Sequence, residues 1–228
     1  MVAAIGWGAL AASSLVIGAW VGLARPWPRR WVGLVLGFGA GALISAVSFE
    51  LVEEGVQQAR GWPVAAGLAV GALTYFFASG KVAAMGGGSA LALGAFLDGI
   101  PEQLVLGIGL AGGESVSLGL LAAIFVSNLP EAIGGATDMN RHEASERKVL
   151  RNWILIAAAC ASATVVGYAA ADVASNKLQA GINGFAAGAL IVMLVDSMIP
   201  EATEEAGRTT GLVTTLGFAV AAGLSFTT

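Results

Sequence analysis

From Val2 onward the chain is a succession of apolar stretches, each about 20 residues long, broken only by short clusters of charged or turn-forming residues; that is the length a helix needs to cross about 30 Å of hydrocarbon. Breaks at those clusters predict spans near 4–24, 31–53, 62–79, 88–111, 115–137, 151–172, 178–201 and 209–227. With 57% hydrophobic and 11% charged residues, against roughly 25% charged in a soluble domain, the chain has little with which to cover a solvated surface. The reading is an all-α membrane protein of eight helices, a single transmembrane domain over 1–228. The first apolar segment is too long for a signal-peptide core and is read as a retained helix.

The loops assign an orientation. Arg25, Arg29 and Arg30, then Lys81, then Arg141, Arg147, Lys148 and Arg151, and last Arg208 fall in alternate connections, whereas Arg60 and Lys177 fall in the others. The positive-inside rule puts the first set in the cytoplasm and both termini outside it. The net charge of −4 points to no nucleic-acid partner, because the acids sit within or beside the spans. Cys160 is the single cysteine, so no intrachain disulfide forms, and its apolar surroundings suit packing.

An internal echo appears when Gly37-Phe38-Gly39-Ala40-Gly41-Ala42-Leu43-Ile44 is laid on Gly184-Phe185-Ala186-Ala187-Gly188-Ala189-Leu190-Ile191, where only the third residue differs. Small-residue packing explains the glycines. It does not explain the shared order of Phe, Ala, Leu and Ile. The copies lie in the second and seventh spans, which run in opposite directions, so the expectation is an inverted repeat of helices 1–3 and 6–8 around a central pair, helices 4 and 5. That pair carries an echo of its own: Asp98-Gly99-Ile100-Pro101-Glu102 against Ser127-Asn128-Leu129-Pro130-Glu131.

An ionised carboxylate at mid-membrane costs on the order of 2.5–3.5 kcal/mol, so such groups persist where they face a cavity, a partner or an ion. Asp98, Glu102 and Glu131 fall near the middles of their spans. Asp98 and Glu102 share one helical face, as do Ser127 and Glu131, with Asn128 beside them. Apart from Arg151 at the very edge of the sixth span, no basic residue lies in the spans to neutralise these acids, leaving protons or a bound cation to balance them. Pro101 and Pro130 each precede a glutamate and free the carbonyls of Leu97 and Val126 from helical bonding. Glu50, Glu53 and Glu54 at one end of the second span, and Asp196, Glu201, Glu204 and Glu205 toward the end of the seventh, would draw cations to two opposite mouths.

At these residues the chain resembles the ZIP family of divalent-metal transporters. The stretches Asp98 to Gln103 and Ser127 to Ala132 are similar to that family's His-Asn-x-Pro-Glu-Gly motif and its variant. Val195 to Glu201 is similar to its Asp-Glu-x-Ile-Pro-Glu ending, and the second span to its Gly-Ala-Leu lead into an acidic end. The resemblance implies eight helices with both termini outside the cytoplasm, and a metal moved inward across a bacterial plasma membrane, with a homodimer as a compatible assembly. It also implies Asp98, Glu102, Asn128 and Glu131 as metal ligands, supported by Ser127 and Gln103, with entry past Glu50, Glu53 and Glu54 and exit past Asp196 and Glu201. The departures are specific. Asp98 stands where the family has histidine, Gly99 where it has asparagine, and Ser127 where histidine is frequent. The sixth span lacks the family's glutamate, which argues against a second metal. The cytoplasmic connection around Lys81 to Ser89 is short and glycine-rich rather than histidine-rich, and the sole histidine, His142, is read as a solvated surface residue.

The family favours zinc, whereas an all-oxygen shell suits harder ions such as manganese or magnesium; iron and cadmium belong to the same class of cargo. No resident cofactor is expected. A proton-coupled carrier of another solute, with the acids as a relay, remains open. An enzyme with paired carboxylates would also need a substrate-holding lobe and a nucleophile with its base, which the sequence does not offer.

Overall fold

A computed structural model describes residues 1–25, 27–59, 61–85, 87–111, 117–142, 145–172 and 174–225, with side chains for all of these except 87–92, 141, 142 and 172. Arg60 and the side chains of Ser89, Arg141 and His142 therefore lie outside the described residues. The chain forms α1 (Val2–Ala24), α2 (Arg29–Ala59), α3 (Gly61–Met85), α4 (Gly87–Ala111), α5 (Leu118–His142), α6 (Glu146–Asp172), α7 (Asn176–Ala206) and α8 (Thr209–Ser225). Among the described residues there is no strand. Among the described residues, seven helices are long and apolar enough to cross a membrane; α8, described over 17 residues, is shorter.

Several helices overrun the expected spans, for local reasons. The α2 helix continues past 53 to Ala59, where Gln57 donates to Glu53 at 3.2 Å and Gln58 to Glu54 at 2.7 Å, the side-chain spacing that supports a helix. The expected loop from Lys81 is largely helix, because α3 carries on through Lys81-Val82-Ala83-Ala84-Met85 and α4 begins at Gly87. Ser117 caps α5 through the Leu120 amide at 3.1 Å. Gly207 ends α7 at φ 64°, a conformation that glycine adopts without a Cβ penalty.

Two of the long helices change pitch midway: α2 is π-helical over Val47–Glu53 and α7 over Leu194–Met198. Laying Gly37–Ile44 on Gly184–Ile191 also lays Val47 on Leu194, so the two π segments begin in the same register.

Small residues set the packing. A Cβ on Gly41 would meet the Thr214 carbonyl of α8, and one on Gly188 the Leu68 carbonyl of α3, so α2 lies against α8 and α7 against α3 at backbone-contact distance. Likewise Gly22 of α1 abuts the Ile133 carbonyl of α5, and Gly167 of α6 the Leu104 carbonyl of α4. The α4 and α5 helices sit among α1, α2, α6 and α7, where Leu43, Leu106, Ile124 and Leu190 form the best-buried apolar core. Apolar side chains left outside, among them Leu73, Phe76 and Phe77 on α3 and Leu212 and Leu216 on α8, form the surface that lipid would cover. Trp20, Trp31 and Trp62 are exposed near helix ends, where indoles favour the bilayer interface.

Candidate metal site

Pro101 and Pro130 lie inside α4 and α5, and the glutamates that follow them point to a common place. Ser127 Oγ of α5 donates to Glu102 Oε1 of α4 at 3.0 Å and shares its proton with the Ile124 carbonyl, also at 3.0 Å. The Asp98 and Glu131 carboxyl groups are within hydrogen-bonding reach of each other. Two carboxyls that close need a proton or a cation between them, since like charges there repel.

Asp98, Glu102, Ser127 and Glu131 line one cavity of about 40 Å³, enough for a few waters or a cation with part of its shell. Glu201 of α7 completes the acidic lining, while Leu36, Met193, Ser197 and Met198 form the rest of the wall. No basic side chain is part of it. Glu102 is 2% exposed, and its Oε2 has no protein partner. Among the described residues, no three Asp, Glu, His or Cys side chains stand at the spacing of a closed metal site. The carboxylates thus surround a space rather than converge on a point, an arrangement that leaves room for water in the shell.

The remaining expected ligands are placed differently. Asn128 is buried beside Glu102 with its Nδ2 free of a protein acceptor, but it is not part of the cavity lining. Gln103 sits one residue further round α4, on the side of α6, where Thr164 Oγ1 donates to its Oε1. It supports the α4–α6 contact and does not line the cavity. Glu201, expected at a separate exit, belongs to the cavity, whereas Asp196 is exposed and outside it. Glu53 and Glu54 are engaged by Gln57 and Gln58. Glu50 accepts hydrogen bonds from Ser117 at 2.6 Å and Ser225 at 2.8 Å, joining the end of α2 to the start of α5 and the end of α8.

Tyr75 was not among the expected residues. It is 4% exposed on α3, and its hydroxyl donates to Asp98 Oδ1. A phenol within an apolar span needs an acceptor, which was the available signal. Met193 and Met198 were also missed; both line the cavity and add polarizable side chains to its wall.

Comparison with known proteins bears on this arrangement. A family model described as "ZIP Zinc transporter" matches residues 77–225, which takes in all of α4 to α8. A curated Arabidopsis thaliana protein, "Putative zinc transporter At3g08650", is 30% identical over 192 residues, covering 78% of this chain and 31% of its own length. The chain thus spans about a third of that relative. Because the family model runs through both proline-glutamate motifs and all four acids of the cavity, the chain belongs to the ZIP family, whose members are transporters and not enzymes.

Proposed function

We propose that the protein moves a divalent metal cation across a membrane, binding it between Asp98, Glu102 and Glu131 with Ser127 as a neutral oxygen donor. The observation that carries this reading is a cavity lined by four acids and no base, with all four acids on helices that the family model covers. Asn128 packs beside Glu102, and Gln103 braces α4 on α6. Glu201 stands where the cation leaves, with Asp196 beyond it, and Glu50, Glu53 and Glu54 mark the opposite mouth. The cation travels from that mouth into the cytoplasm, with both termini on the far side. The relative's name favours zinc, and the carboxylate-rich shell favours a harder ion such as manganese or magnesium.

Transport of this kind needs two related conformations, and an inverted repeat of α1–α3 and α6–α8 around α4 and α5 supplies them. Three correspondences support it. The contacts of Gly41 with Thr214 and Gly188 with Leu68 match in register, the π segments begin at matched residues, and Gly22 on Ile133 matches Gly167 on Leu104 when Pro101 is laid on Pro130.

The test is cation binding and vesicle uptake by purified Glu102→Ala and Glu131→Ala. Each is expected to abolish saturable binding while the protein stays folded. Binding as tight as wild type in both would place the site elsewhere. The contact between the Asp98 and Glu131 carboxyls favours a second reading, a proton-coupled carrier of a non-metal solute. Calorimetry showing no saturable binding of zinc or manganese to the wild-type protein would decide for it.

A further inference from the structure

Asn183 of α7 is 1% exposed, yet neither its Oδ1 nor its Nδ2 has a hydrogen-bond partner. An unpaired buried polar group is costly, and a leucine of similar size would avoid the penalty. Asn183 faces the end of α2: a Cβ on Gly55 would stand 3.6 Å from its own Cβ. Gly55 follows Glu54, and the Oε1 of Gln58, the residue that donates to Glu54, is likewise buried without a partner. Both helices thus carry an orphaned amide group near this contact, and Gln58 holds the Glu54 carboxylate on the α2 side of it.

The register of the repeat gives these residues a role. Laying Gly37–Ile44 on Gly184–Ile191 carries Leu36 onto Asn183 and Glu54 onto Glu201. Leu36 and Glu201 line the central cavity in this conformation. Their counterparts meet near the end of α2, where Asn183 packs against Gly55, the residue after Glu54. We propose that Asn183 and Glu54 form a second station for the divalent cation, used when the path opens at that end. Asn183 Oδ1 offers a neutral oxygen to a partly hydrated ion, and its Nδ2 donates to the ion's water or to Glu54. Leu36 can offer neither, so the two halves of the path differ chemically. This inference rests on the inverted-repeat transport reading above.

The experiment compares wild type, Asn183→Leu and Asn183→Asp in vesicles, with Mn²⁺ and Zn²⁺ as probes, alongside calorimetry of the central site and thermal unfolding. Asn183→Leu is expected to unfold at the same or a higher temperature, to bind cation centrally as wild type does, and to need about tenfold more cation for half-maximal uptake. Asn183→Asp is expected to retain wild-type half-saturation or better. In a Cys160→Ser background, Asn183→Cys is expected to react with a small thiol reagent applied on the side where α2 ends, and more slowly when Mn²⁺ is present. Unchanged half-saturation in Asn183→Leu, or an Asn183→Cys that stays unreactive during uptake, would overturn the second station. If Asn183→Leu fails to fold, the labelling result decides alone. Absence of uptake by the wild-type protein would instead overturn the transport reading, and this inference with it.

Discussion

Asp98 is held from two sides, by the Tyr75 hydroxyl of α3 and by the Glu131 carboxyl of α5. A cation entering the cavity must take Asp98 from one of them. Tyr75→Phe is expected to destabilise the protein by about 1–3 kcal/mol, the range for a buried acceptor left unpaired, and added Mn²⁺ or Zn²⁺ is expected to restore more stability to the variant than to wild type. Thermal unfolding with and without cation checks this; equal shifts would mean that the phenol and the cation do not compete. Asp98→His tests the choice of metal. Imidazole replaces a hard oxygen with a borderline nitrogen, so the ratio of zinc to manganese affinity is expected to rise, and competition binding at fixed pH measures it. An unchanged ratio would remove Asp98 from the shell. The acids were legible in the sequence because a mid-span carboxylate has few bland explanations, and i, i+4 spacing fixes which of them share a face. Tyr75 was not, since one tyrosine in an apolar helix looks like core until its acceptor is known. Gly99 is a third case. A Cβ there would lie 2.6 Å from Cys160 Sγ, so the family's asparagine position is closed here by a packing thiol from α6.

At the level of elements, helix contacts rest on glycines whose missing side chains admit a neighbouring backbone. Gly41→Ala and Gly188→Ala are each expected to destabilise the protein by about 1–3 kcal/mol, because the added methyl meets a carbonyl that cannot move without its whole helix. Gly109→Ala serves as the contrast: nothing lies within 4 Å of its Cβ position, and alanine favours the helix by about 1 kcal/mol. Unfolding in one detergent would rank the three. Equal stability for Gly41→Ala and Gly109→Ala would mean that the close contact does not govern the packing. The eight helices were readable, seven of them long enough to span, because bilayer thickness fixes the length of a span. The cavity wall was not, because a face drawn at 3.6 residues per turn goes out of phase across the π segments. Ser197 and Met198 lie in or at the end of such a segment and reach the cavity, while Asp196, two residues before Met198, does not.

Across the whole molecule, the direction in which the cavity opens follows from two independent observations. Arg29 at the start of α2 pairs with Glu205 near the end of α7 at 3.3 Å, so those two ends share one face of the protein. Glu201 and Met198 bring the cavity toward that face, and Arg30 and Arg208 lie close to it in sequence. A face rich in arginine is expected in the cytoplasm. Toward the other face Glu50 ties α2 to Ser117 and Ser225, a link that would close the path proposed there. This conformation is therefore expected to open inward. In a Cys160→Ser background, Ser197→Cys should react with an impermeant thiol reagent only from the cytoplasmic side, and more slowly with Mn²⁺ or Zn²⁺ bound. Val2→Cys should react only from the opposite side, without needing permeabilised cells. The paired result separates two errors that one label would confuse. If both labels exchange sides, the orientation is reversed and the cavity still belongs to the face with Arg29 and Glu205. If Ser197→Cys alone reacts from the side of Val2, the cavity opens through the end of the molecule held by Glu50, and the path proposed through Glu201 is wrong.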